Sequence, residues 1–308
     1  MAESPTPPQR RPRLLALGGL AVALAAVLVA VLAALGAGGG GGGARAPHRA
    51  PRASGARVAR RAAATARRPA GPARDMGRPG PPRPLPILMY HVVSDPLPGA
   101  PYPDLYVPKD EFAEQMRALK DAGYTAVTLQ EAWDAWHAHG PLPARPVVVS
   151  FDDGYRSQLV NAAPVLRALG WPGVLNLELR NIRPDYGLTA PQIRRLLAAG
   201  WELDSHTIDH PDLTTLDAAS LRHEVADSRA QLKRRFDVAA SFFCYPAGRY
   251  DDAAIAAVRA AGYLAATTTE PGLAEPDEAD RFTLHRVRVN GGLSGAALVA
   301  QLASLGAA

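Results

Sequence analysis

The chain has 308 residues, 47% of them hydrophobic and 20% charged, and a net charge of +5. Residues 1–84 hold fourteen arginines, no lysine and only Glu3 and Asp75 as acids; fourteen less two gives +12, and +5 less +12 leaves −7 for residues 85–308. The basic balance therefore belongs to the first quarter and does not argue for nucleic-acid binding by the rest, and the single cysteine, Cys244, excludes an intrachain disulfide.

Residues 1–13 carry Arg10, Arg11 and Arg13 and precede Leu14–Leu35, 22 residues without a charge. At about 1.5 Å per residue that run spans about 33 Å, enough for a bilayer core. The expectation is a single-pass anchor over residues 14–37, a cytoplasmic N-terminus at 1–13 and an extracytoplasmic catalytic domain at the cell membrane. The alternative is a cleaved signal segment and a secreted protein, since Ala34, Gly36 and Ala37 are small enough for a signal peptidase. Arg45, Arg49 and Arg52 beyond the run match the three arginines before it, so the charge rule nearly ties. A basic stretch beside an apolar span suits anionic lipid or cell-wall polymer as a neighbour. Residues 38–84, rich in Gly, Ala, Arg and Pro, are expected to be a disordered linker.

From Pro86 apolar runs alternate with amphipathic helices. The pattern predicts strands at 87–90, 124–128, 147–151, 174–179, 201–205, 240–245, 264–268 and 283–289. Helices are predicted at 110–122, then around Leu129–Trp136, at 157–169, 191–199, 218–236 and 252–261, and last at the C-terminus. Strands alternating with helices at this length indicate a parallel α/β fold, here a distorted (β/α) barrel of about seven strands over residues 85–308. In such barrels, chemistry sits at the C-terminal ends of the strands.

Four segments fall at predicted strand ends. Ser150-Phe151-Asp152-Asp153-Gly154-Tyr155 places two adjacent carboxylates after an apolar run; it reads equally as a solvated turn or as a site, since lone buried charges are costly. In Ser205-His206-Thr207-Ile208-Asp209-His210 the histidines are four apart, on one face of a helical turn. They are either a surface pair or, with a carboxylate such as Asp153, a two-histidine, one-carboxylate metal grip. Tyr245-Pro246-Ala247-Gly248 is either a plain turn or a loop that presents a backbone N–H to an oxyanion. Leu88-Met89-Tyr90-His91 ends an apolar strand in a histidine.

In joint order and spacing these segments resemble the polysaccharide deacetylase family, carbohydrate esterase family 4. The start at Ile87–His91 is closest in style to its poly-N-acetylglucosamine deacetylases. The resemblance implies that Asp153, His206 and His210 bind a divalent metal, usually zinc (Zn2+), and that Asp152 is the general base. It also implies that the Tyr245 backbone N–H stabilises the oxyanion and that a histidine protonates the leaving amine. In the subgroup that acid corresponds to His91; in more ordinary members it comes from a late Leu-x-His segment, for which His285 is nearest. His91 is preferred because it ends the first strand. The family often has an arginine before the Tyr-Pro of the third motif; here that place is Cys244, and Arg286 is the candidate replacement.

The expected partner is an acetylated polysaccharide, with the membrane reached through the N-terminal segment. The expected activity is removal of N-acetyl groups from a hexosamine polymer. Competing readings are an O-acetyl polysaccharide esterase, a non-catalytic carbohydrate-binding domain and a non-haem iron oxygenase. The second has no need of a base beside metal ligands, and the third has no use for the second carboxylate.

Overall fold

The computed structural model describes residues 73–277, 279 and 281–307. Strands β1 (Ile87–Tyr90), β2 (Tyr124–Val127), β3 (Arg145–Asp153), β4 (Val174–Leu177), β5 (Glu202–Ser205), β6 (Phe242–Cys244), β7 (Ala265–Pro271) and β8 (Leu284–Arg288) alternate with helices. These are α1 (Lys109–Asp121), α2 (Leu129–Ala138), α3 (Ala163–Leu169), α4 (Ala190–Ala198), α5 (Ala218–Arg222), α6 (Ser228–Phe236), α7 (Asp252–Ala260) and α8 (Gly295–Ser304). Local signals set several boundaries. Thr128 and Glu131 form a reciprocal cap on α2, with Thr128 Oγ1 accepting the Glu131 N–H at 3.0 Å and Glu131 Oε2 accepting the Thr128 N–H at 2.8 Å. Asp251 and Ser294 cap α7 and α8 through side-chain oxygens.

Every strand pairing in the sheet is parallel, and seven strands close a ring, β1-β8-β7-β6-β5-β4-β3 and back to β1. That ring is the expected seven-stranded (β/α) barrel. β2 is not one of its staves; it pairs only with the start of β3, Tyr124–Val127 beside Arg145–Val148.

Period-two alternation divides each strand between two environments. On β3, Val147, Val149 and Phe151 face the helices, where they join Phe112, Met116, Leu166, Ile193 and Leu232 in the outer core. Val148 faces the lumen, with Ile87, Val174, Phe242, Ala265 and Leu284. These residues form an apolar floor, closed by α2 through Leu129, Ala132, Trp133 and Trp136. Two residues higher on β3, β4, β5, β6 and β8 the lumen turns polar, at Ser150, Asn176, Asp204, Cys244 and Arg286, all buried.

Residues 73–84 correct the linker expectation. Arg74 pairs with Glu131 at 2.7 Å and 2.8 Å, Arg83 donates to the Pro143 and Ala144 carbonyls, and the Arg83 carbonyl accepts Trp136 Nε1 at 2.9 Å. This strap lies against the α2 plug, so the ordered domain begins before residue 85. The apolar run Leu14–Leu35, with the rest of the expected linker, lies outside the described residues. Among the described residues, no helix is long and apolar enough to cross a membrane.

Candidate active site

The backbone at the mouth of the barrel is unusual before any side chain is considered. Among the described residues, six non-glycine residues have positive φ, and four of them lie in the chemistry-bearing segments: Asp153 (71°), Thr207 (70°), His210 (56°) and Ala247 (51°). Each such residue costs on the order of 1–3 kcal/mol, and strain of this kind clusters at functional sites. Gly154 (φ 92°) completes the turn after β3, because a Cβ there would lie 2.5 Å from Leu177 Cδ1.

Asp152 is buried at the end of β3, facing the lumen. Arg286, fully buried on β8, grips it with two bonds: Nη1 donates to Oδ1 and Nη2 to Oδ2, each at 2.8 Å. Asn176 Nδ2 adds a third bond to Oδ1 at 2.8 Å. Burial pushes the Asp152 carboxyl up, but the Arg286 charge and hydrogen bonds outweigh it and hold the group well below the usual carboxylate range. The cation that the third motif lacks at Cys244 is thus supplied from the last strand. A carboxylate has about four lone-pair sites. Oδ1 has two strong donors, whereas Oδ2 has Arg286 and a long thiol contact from Cys244 at 3.7 Å, so Oδ2 is the oxygen with capacity left.

Asp153 stands between the histidines. Its Oδ1 is 3.4 Å from His206 Nε2 and 3.8 Å from His210 Nε2. The two histidines are not on a helical turn as expected. His206 follows β5 directly, and His210 is brought back by a loop with Thr207 and His210 left-handed. Glu224 Oε2 fixes that loop by accepting the Ile208 and Asp209 N–H groups at 2.8 and 3.0 Å.

Asp153, His206 and His210 each offer a ligand atom within 4.8 Å of the others. Two imidazoles and a carboxylate are a ligand set for a divalent transition metal with positions open to water and substrate. The outer shell fits too: His206 Nδ1 donates to the Cys244 carbonyl at 2.8 Å, which leaves Nε2 to ligate. A second group, Asp152, His206 and Cys244, also lies within reach. In that group Arg286 already balances the Asp152 charge with a bond to each oxygen, and the His206 nitrogen on the Cys244 side, Nδ1, is taken by the Cys244 carbonyl. The Asp153 set is therefore the one able to hold a metal.

His91 ends the β1 side of the mouth, with Nε2 at 3.8 Å from Asp152 Oδ2. Gln158 Nε2 ties the two backbones together, donating to the His91 carbonyl at 3.0 Å and the Asp152 carbonyl at 2.7 Å. Burial lowers the His91 imidazole below its ordinary value even though Asp152 and Asp153 pull it up, so it is neutral near pH 7. His285 is elsewhere: its Nε2 pairs with Glu270 at 3.2 Å and its side chain is 44% exposed. Tyr245 corrects the sequence reading. Its N–H donates to the Thr267 carbonyl at 3.1 Å as part of the sheet, so it is not available to an oxyanion.

Sequence reasoning missed two mouth residues on β4 and just beyond it. Asn176 is a polar residue at an inward position of an apolar strand, and that alternation could have revealed it. Glu178, two residues on, is pushed up to about 7 by burial and by the Asp153 charge.

The sequence pattern described as Polysaccharide deacetylase matches residues 139–266, the stretch holding Asp152, Asp153, His206, His210 and Tyr245 but neither His91 nor Arg286. The Bacillus subtilis protein YxkH, placed by its name among polysaccharide deacetylases, is 36% identical over 224 residues, covering 73% of this chain and 78% of that protein. The Escherichia coli K12 poly-beta-1,6-N-acetyl-D-glucosamine N-deacetylase is 26% identical over 54% of this chain, which spans 31% of that longer protein. Among solved structures, Streptococcus pyogenes deacetylase PplD in complex with acetate matches with a TM-score of 0.66 and 26% identity, over 71% of this chain and 98% of that one.

Proposed function

This chain belongs to the polysaccharide deacetylase family, and from that premise we propose that it is a metal-dependent hydrolase removing N-acetyl groups from a hexosamine-containing polysaccharide. The polymer would be of the poly-N-acetylglucosamine, peptidoglycan or chitooligosaccharide type. The observation that carries this reading is an ionised, arginine-clamped carboxylate, Asp152, directly beside a three-ligand cluster, Asp153, His206 and His210. The name of the E. coli relative supports the N-acetylated substrate class.

A divalent ion held by Asp153, His206 and His210, zinc by the family's usual choice, would polarise the acetyl carbonyl and acidify a water. The chain's own residues do the rest. A carboxylate held so far below its usual range is a poor base towards ordinary water, so Asp152 needs a partner already made acidic, and its neighbours supply the means. Oδ2 takes the proton as the water oxygen attacks the acetyl carbon. His91 Nε2, 3.8 Å away and neutral at rest, is the better proton holder of the two, so the proton passes to it. His91 then protonates the leaving nitrogen as the C–N bond breaks, giving acetate and a free amine. The resting neutrality of His91 is compatible with an acid role because its proton arrives during turnover.

We further propose that Leu14–Leu35 anchors the protein in the cell membrane with the catalytic domain outside. Retention in membranes after a carbonate wash is expected; a mature chain beginning near Gly38 in the medium would show a cleaved signal segment instead. The activity is tested by acetate release from N-acetylglucosamine oligomers and from acetylxylan, with and without a chelator. Chelator-sensitive release from the oligomers is expected. Release from acetylxylan alone would make the protein an O-acetyl esterase, and release from neither would leave the binding-domain reading.

A further inference from the structure

The loop between β4 and α4 carries Tyr186, one of five large hydrophobic side chains exposed among the described residues, at 48%. Exposure of one aromatic ring needs no explanation by itself. What distinguishes Tyr186 is how firmly its loop is held against the Asp152-Asp153-Gly154 turn. The Arg156 N–H donates to the Tyr186 carbonyl at 2.8 Å, and the Leu188 N–H donates to the Gly154 carbonyl at 2.9 Å. Asn181 Nδ2 donates to the Asp153 carbonyl at 3.2 Å, and Arg183 Nη2 donates to Asn181 Oδ1 at 2.9 Å. Gly187 permits the tight fold of the loop, since a Cβ there would lie 1.9 Å from the Asn181 carbonyl oxygen.

The same loop orders the ring itself. The Arg183 guanidinium lies 4.1 Å from the Tyr186 ring centroid, and Tyr155, next to Gly154, lies 6.2 Å from it at a 35° tilt. Tyr155 follows Gly154 in the turn that carries Asp153, so this turn links the ligand cluster to the exposed ring. A pre-ordered ring with an apolar face and a polar tip, set at the rim of a hydrolytic mouth, binds at low entropic cost. Pyranose rings offer the complement, a C–H face bordered by hydroxyls.

We propose that Tyr186 is a stacking platform for a sugar unit neighbouring the one deacetylated, which makes the protein selective for chains over single sugars. The proposal rests on the deacetylase reading. The test compares full-length wild type, Tyr186→Ala and Tyr186→Phe on N-acetylglucosamine and its pentamer. The readout is the ratio of kcat/KM for the pentamer to that for the monomer. Tyr186→Ala is expected to lower this ratio about tenfold, mainly through KM, in line with the loss of one aromatic contact. Tyr186→Phe, which keeps the face, should hold it within about twofold. A ratio unchanged in Tyr186→Ala, or a loss equal on both substrates, overturns the platform. Wild-type protein that releases no acetate from either substrate overturns the deacetylase reading and the platform with it.

Discussion

The barrel holds two close carboxylate pairs, and they are in opposite states. Asp152 and Asp153 stand at the mouth, where Arg286 and the histidines keep both below their usual range despite burial. Glu202 and Asp204 stand lower, on β5, and among the described residues neither forms an ion pair with a cation. Burial pushes both up, Glu202 to about 7 and Asp204 well above its ordinary value; the Glu202 charge adds to the rise of Asp204, whereas the hydrogen bond with Asp204 partly offsets that of Glu202. Glu202 accepts the Gln130 N–H at the start of α2, while Asp204 accepts the Phe242 N–H at 3.0 Å. Residue type is the same in both places. The partner on the opposite stave decides whether a carboxyl serves as a base or as a neutral strut.

The sharpest way to break this contrast is to neutralise one acid of the upper pair at a time. Asp152→Asn should keep metal and fold but slow turnover by about 10²–10⁴-fold. Asp153→Asn should instead lose metal, as His206→Ala and His210→Ala should. Metal analysis beside kinetics distinguishes the roles, and a metal-free Asp152→Asn with a metal-replete Asp153→Asn would reverse them.

Removing the cation should be next in effect. Arg286→Gln leaves Asp152 buried without its partner, a change that typically costs about 3–5 kcal/mol. The double variant Arg286→Gln/Asp152→Asn should recover much of that stability and none of the activity. Denaturant titration of the three variants checks it; additive losses would mean the two side chains are not energetically coupled.

The acid assignment is tested by leaving group. His91→Ala should lower N-deacetylation about 100-fold while slowing hydrolysis of an activated aryl acetate much less, since an aryl oxide leaves unprotonated. The same selective defect in His285→Ala, with His91→Ala normal, would move the role to the β8 histidine.

The smallest effect belongs to the lower pair. A carboxyl whose folded pKa lies above its unfolded value stabilises the fold at low pH. Its contribution falls as pH rises from about 4.5, the unfolded value, through about 7, the folded one. Glu202→Gln should therefore flatten the pH dependence of Tm across that window and raise Tm by a few degrees at pH 8. A steeper profile in the variant would place the proton elsewhere.

Much of the architecture was legible because alternation and capping are local. The elements from β1 to α8 fall close to the predicted spans, and Asp152, Asp153, His206 and His210 do meet. What was not legible depends on partners distant in sequence. Which of the eight strands stays outside the ring was not legible, because periodicity reports burial and not neighbours. The Tyr245 N–H looked free because its acceptor, the Thr267 carbonyl, belongs to another strand. Arg286 could be named from the sequence, but its bidentate grip is a property of ring closure between β8, β1 and β3. Residues 73–84 read as disordered because their order comes from Glu131 and Trp136, not from a core of their own.

That strap also fixes how the domain can be held. Ala73 enters on the side of the α2 plug, at the base of the barrel, whereas the histidines and paired aspartates open at the opposite rim. Coupling the protein to a bead or electrode through residue 73 should thus leave the rim facing outward, whereas coupling through the β4–α4 loop should press it against the support.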